Sequence, residues 1–85
     1  MRTLLASVAV LVVMAIPARA ADRPVMDAER TRLVDAVAAQ GCSGGKMEWD
    51  DSDQEFEVDD ARCDGRKHEL KFHADYSLKS KKLDD

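Results

Sequence analysis

Residues 46–73 read KMEWDDSDQEFEVDDARCDGRKHELKFH, and this stretch decides the fold. Polar and apolar residues alternate strictly over 46–50, 55–59 and 68–73. Strict alternation is typical of strands with one buried and one solvated face, as in antiparallel sheets. Asp64-Gly65 precedes the third segment and is a strong hairpin signal. The predicted buried face carries Met47, Trp49, Phe56, Val58, Leu70 and Phe72.

The sequence on either side of this stretch adds one helix and one further strand. Leu33, Val34, Val37 and Ala38 recur at helical spacing and form one apolar stripe, which predicts a helix over residues 27–40 that begins at Asp27 and ends before Gly41. Residues 78–83 add a short strand whose lysines suit an exposed sheet edge. The predicted fold class is α+β, with one helix packed on one face of a three- to four-stranded antiparallel β-meander.

The N-terminus has the features of a secretory signal peptide. Arg2 precedes an apolar run from Leu4 to Ile16, and Ala18 and Ala20 fit the small-residue cleavage rule. The run would be about 20 Å long as a helix, which is too short for about 30 Å of bilayer hydrocarbon. We therefore predict a signal peptide over residues 1–20, cleavage after Ala20, and a periplasmic or secreted product of residues 21–85 with no stable membrane anchor.

Composition limits what this product can do. The chain has 13 basic and 17 acidic residues, and two of the basic ones, Arg2 and Arg19, lie in the leader, so the exported part has a net charge near −6. This charge argues against nucleic-acid binding. The remaining 65 residues form one small domain with little room for a pocket of about 300 Å³ or more. We predict no enzyme activity, no catalytic residues and no cofactor.

Cys42 and Cys63 could form a disulfide, a redox pair or part of a metal site. A redox motif needs Cys-x-x-Cys, whereas these cysteines are 21 positions apart. A zinc site would need His68 and His73, but these differ in strand parity and no short cysteine pair accompanies them. An exported small domain with two cysteines favours a structural disulfide.

The predicted solvated face is mostly acidic. It is formed by Glu48, Glu55, Glu57, Asp59, Glu69 and Lys71. Asp51, Asp53 and Glu55 fit the first positions of a calcium-binding EF-hand loop, but Phe56 replaces its glycine and Arg62 its final glutamate. We therefore predict no dedicated metal site, and weak calcium binding stays the alternative.

The exported part resembles the PepSY domain family over about residues 24–85. The resemblance lies in the helix followed by Glu55-Phe56-Glu57-Val58, Asp64-Gly65, Leu70-Lys71-Phe72 and Ala74-Asp75. Family members often have Thr-Gly after this aspartate, where the present chain has Tyr76-Ser77. The resemblance implies a binding or regulatory module that binds or restrains a peptidase, and it carries over no catalytic residue.

Two functions are therefore expected from the sequence. The first is an exported module that binds a protein or peptide partner through the acidic face or an exposed strand edge. The alternative is an envelope protein that binds calcium or a transition metal through the acidic hairpin.

Overall fold

The computed structural model describes residues 22–84. The predicted signal peptide and its cleavage site lie outside these residues. Within them the chain forms one helix and six strands. In chain order they are β1 (Arg23–Pro24), α1 (Asp27–Ala39), β2 (Cys42–Ser43), β3 (Lys46–Asp50), β4 (Glu55–Cys63), β5 (Arg66–His73) and β6 (Leu78–Leu83).

All six strands belong to one antiparallel sheet. The main path runs β1-β3-β4-β5-β6, and β2 also pairs with β4. The register of β2 on β4 continues that of β3, because Ser43 lies opposite Arg62 and Lys46 lies opposite Asp59. Strands β2 and β3 are therefore one run along the same side of β4, interrupted at Gly44 and Gly45.

The predicted α+β fold with a three- to four-stranded meander is wrong. The protein is mostly β, with a six-stranded sheet and one short helix. The additional strands, β1 and β2, have two residues each. Two residues are too few to show an alternating pattern, and Pro24 and the two glycines after Ser43 read as chain breaks.

Helix α1 begins at Asp27, as the sequence predicts, but it ends at Ala39, one residue before the predicted end, and its N-cap residue is Met26. The Glu29 carboxylate accepts a 2.8 Å hydrogen bond from the Met26 backbone N–H and also pairs with Arg23. The side chain of Val25, next to the cap, is buried in the core. These contacts fix the entry of the helix without a polar side chain at the cap.

A β-bulge interrupts strand β4. Val58 pairs with Leu70, but Ala61 pairs with His68, so both Asp59 and Asp60 lie opposite Glu69. Asp60 has a left-handed φ of 60°. Because one residue is inserted, Ala61 and Cys63 turn to the buried face, where simple alternation from Phe56 would not place them.

Gly45 lies beside this bulge, and no other residue type fits there. A Cβ atom at Gly45 would lie 2.7 Å from Val58 Cγ1 and 2.8 Å from the carbonyl oxygen of Asp59. Its φ of 102° is also one that side chains rarely allow. Gly45 therefore lets the β2–β3 run stay close to β4 at the bulge.

The core lies between the sheet and the helix. Its buried members are Val25, Leu33, Val37, Cys42, Met47, Trp49, Phe56, Val58, Ala61, Cys63, Leu70 and Phe72. All six apolar strand residues predicted from alternation are among them, Trp49 included. Of the predicted helix stripe only Leu33 and Val37 are buried, whereas Val34 and Ala38 are exposed.

An aromatic row closes one end of this core. Phe56 contacts Trp49 edge-on at 4.6 Å and stacks on Tyr76 at 5.0 Å between ring centroids. Arg23 lies over Trp49 and Arg32 over Tyr76, so a guanidinium covers each end of the row. The row joins β1, β3, β4, the β5–β6 turn and α1.

Candidate functional site

The face of the sheet opposite the helix is the candidate site. Among residues 22–84, α1 is the one element outside the sheet, so this opposite face is covered by its own side chains alone. We call it the acidic face. It comprises the half-buried residues Glu48, Glu57, Asp59, Glu69 and Lys71.

Strand register places like charges beside each other on this face. Glu48 pairs directly with Glu57, and Glu57 pairs in turn with Lys71. The Lys71 ammonium lies 3.8 Å from the Glu57 carboxylate. Glu48 has an ion pair with Lys46 at 4.0 Å, but the Lys46 side chain is 73% exposed, so this pair is weak. The face keeps a surplus of negative charge.

Burial and mutual repulsion disfavour ionisation of two of these carboxyl groups. Burial raises the pKa of Glu57, and the neighbouring Asp59 carboxylate raises it further. Burial likewise raises the pKa of Asp59, with further contributions from Glu69 and Glu48. An approaching cation would favour the charged forms of both residues.

Glu55 was predicted to lie on the solvated face, but it is buried, with 2% of its surface exposed. Lys79 donates to its Oε1 atom at 2.5 Å. Lys71 lies 3.4 Å from Oε2, close enough for an ion pair but without a well-aligned hydrogen bond. The Glu55 carboxylate in turn raises the pKa of Lys71. Glu55 is therefore enclosed by two lysines and is inaccessible to a partner.

A register shift in the last hairpin explains this enclosure. Lys71 pairs with Ser80 and Phe72 with Leu78, which leaves Lys79 as an extra residue in β6. Its side chain reaches across to Glu55 on β4. Simple alternation could not reveal this contact, because the lysine comes from a strand that is not adjacent to β4.

Two carboxylate triads of this region have oxygen atoms within 4.8 Å of one another. They are Asp22–Asp50–Glu57 and Asp50–Asp53–Glu55. Glu55 of the second triad already binds two lysines. Asp50 accepts hydrogen bonds from Ser52 and from the Asp53 backbone, and the Ser52 hydroxyl is the main cause of its lowered pKa. The first triad extends the acidic face toward β1.

Asp22 and Asp50 also border this face, although neither was among the residues predicted for it. Asp50 has the same strand parity as Glu48, so alternation could have identified it. Asp22 carried no such signal, because it precedes a two-residue strand. The other predicted face residues, Glu48, Glu57, Asp59, Glu69 and Lys71, do come together.

The predicted disulfide is confirmed. Cys42 and Cys63 are bonded to each other and are direct register partners on β2 and β4. Both are buried. The bond therefore joins β2, which follows the helix, to the turn end of the β4–β5 hairpin. Neither cysteine belongs to the acidic face.

Comparison with known proteins gives no further guide to this site. No family model, curated protein or solved structure matches the chain. The single helix within residues 22–84 does not meet the length and hydropathy needed to cross a bilayer.

Proposed function

We propose that this protein is an exported binding module whose acidic face binds a basic surface of a protein or peptide. The observation that carries the proposal is the direct cross-strand pairing of Glu48 with Glu57. Like charges placed opposite each other destabilise a sheet. A cationic partner would be attracted to both carboxylates and would offset the repulsion between them. The same charges would steer the partner to the face at long range.

Three further observations support the proposal. Burial and neighbouring carboxylates raise the pKa of Glu57 and Asp59, and a bound cation would stabilise the charged form of both side chains. The leader resembles a signal peptide, and the disulfide suits an oxidising compartment. The resemblance to PepSY domains adds a partner class, namely a peptidase or another envelope protein.

Site-directed photo-crosslinking in the native envelope tests the proposal. A photoreactive residue replaces Glu69 on the acidic face, and a control replaces Asp35 on the exposed side of the helix. We expect a discrete crosslinked partner from position 69 and none from position 35. The same products from both positions would refute binding at this face.

Charge reversal then tests the electrostatic mechanism on the captured partner. The double variant Glu48→Lys, Glu69→Lys should slow association and weaken binding at least tenfold at low salt. The matched control Asp35→Lys, Asp84→Lys has the same net charge but leaves the face intact, so it should bind normally. Equal effects of the two variants would leave strand addition at an exposed edge as the binding mode.

Metal binding is the second candidate function, and the Asp22–Asp50–Glu57 triad favours it. Calorimetric titration with calcium, copper and zinc tests it, with Asp50→Asn as the variant that should abolish the signal. Tight metal binding that Asp50→Asn abolishes, together with no crosslinked partner, would replace the first proposal with this one.

A further inference from the structure

An apolar pocket lies on the other side of the molecule, between α1 and the β2–β3 run. Its volume is about 260 Å³. The lining includes Arg30, Val34, Val37, Ala38, Cys42 and Met47. The disulfide therefore forms part of its wall, and the acidic face does not contribute to it.

The helix presents more apolar surface than the sheet covers. Val34 is 51% exposed and Ala38 is also exposed, although both belong to the same apolar stripe as the buried Val37. Both exposed residues line the pocket. An apolar group seated there would complete the burial of this stripe.

Arg30 at the wall of the pocket supplies a cation without an anionic partner. Its guanidinium donates to the Met47 sulfur at 3.8 Å, which is a weak acceptor. Within residues 22–84 no carboxylate pairs with it, whereas Arg23 pairs with Glu29 and Arg32 lies over Tyr76. A guanidinium has five donors in a planar fork that matches a carboxylate.

We propose that this pocket binds a medium-chain carboxylate, with the apolar chain against Val34 and Ala38 and the carboxylate on Arg30. A volume of about 260 Å³ holds about nine groups of the size of a water molecule or methylene, at about 30 Å³ each. A chain of about eight carbons fits this volume. The proposal is independent of the acidic face, because the two sites share no residue.

Titration of the purified, disulfide-bonded protein with octanoate, followed by amide chemical shifts, tests the proposal. We expect saturable shifts centred on Val34, Ala38 and Gly44. Octylammonium has the same chain and the opposite charge, and it should bind at least tenfold more weakly. Absence of saturation in the millimolar range, or equal affinity for octylammonium, would overturn the proposal.

Two pairs of variants separate the role of the charge from that of the cavity. Arg30→Gln should weaken octanoate binding at least tenfold and leave the weaker binding of 1-octanol unchanged. The control variant Arg32→Gln, on the same helix, should bind both compounds as the wild type does. Ala38→Trp fills the pocket and should abolish binding, whereas Ala28→Trp should not. Thermal melts confirm that each variant is folded. Octanoate binding that survives either Arg30→Gln or Ala38→Trp would refute the assignment.

Discussion

Reversing one charge on the acidic face should make the protein more stable, which is the opposite of what most substitutions do. The change is Glu48→Lys. Glu48 is preferable to its register partner Glu57, because Glu57 also pairs with Lys71 and would lose that contact. The contact that Glu48 itself loses, to the exposed Lys46, contributes little.

The size of the gain follows from Coulomb's law. The Cβ atoms of register partners lie about 5 Å apart, and two unit charges placed about 6 Å apart in water interact by about 0.7 kcal/mol. Replacing repulsion by attraction changes the free energy of unfolding by about twice that amount, roughly 1.4 kcal/mol, at low salt. Screening with a Debye length of about 8 Å halves the gain at physiological ionic strength. For a domain of this size, the low-salt gain raises the melting temperature by roughly 5–10 °C.

Urea and thermal unfolding at 10 mM and 500 mM NaCl measure this effect. Glu48→Gln should give about half the gain, since it removes the repulsion and adds no attraction. Asp35→Asn, a neutralisation on the helix, should change the free energy of unfolding by no more than about 0.5 kcal/mol. Destabilisation by Glu48→Lys, or a gain that does not shrink with salt, would refute the electrostatic argument.

Substitutions at four further positions test the fold and the site. Cys63→Ser should lower the free energy of unfolding by about 2–4 kcal/mol, and thiol labelling of the native protein should find no free cysteine. Phe56→Ala should cost about 3–5 kcal/mol, because its ring is buried between two other rings. Asp60→Val should cost about 1–2 kcal/mol through its left-handed φ, whereas Asp60→Gly should stay near wild type. The folded protein raises the pKa of Glu57, so ionisation of this group lowers the free energy of unfolding as pH rises through its folded pKa. Glu57→Gln should therefore unfold at a higher urea concentration than wild type at pH 7. The difference between the two proteins should be smaller at pH 4, where the wild-type carboxyl is largely protonated.

Patterns of alternation and of turn residues correctly located the strands whose formation depends on residues close to one another in sequence. Alternation located β3, β4 and β5, and Asp64-Gly65 correctly marked the turn between the last two. The lysine-rich segment from Leu78 to Leu83 is a strand at the sheet edge, as expected. In each case the pattern and the turn residues lie within a few positions of one another.

Features that depend on distant partners were not predictable from these patterns. The two-residue strands exist because β3 and β4 offer free backbone groups to them. The burial of Glu55 depends on Lys79, which is 24 residues away. The bulge at Asp60 places a non-glycine residue in a left-handed conformation, for which the sequence gives no specific signal.

The strand order has a consequence for how the chain assembles. From β3 to β6, every pair of neighbours along the sheet is also consecutive in sequence, so each pairing closes a short loop. Hairpins of this kind form within about 1–10 μs, and low contact order favours fast folding. Strand β1 is different, because it must meet β3 across the whole helix. We expect β1 to dock last and to detach first. Pro24 has no backbone N–H, so the amide of Arg23 reports on this strand, and it should exchange with solvent well before the amides of β4 and β5.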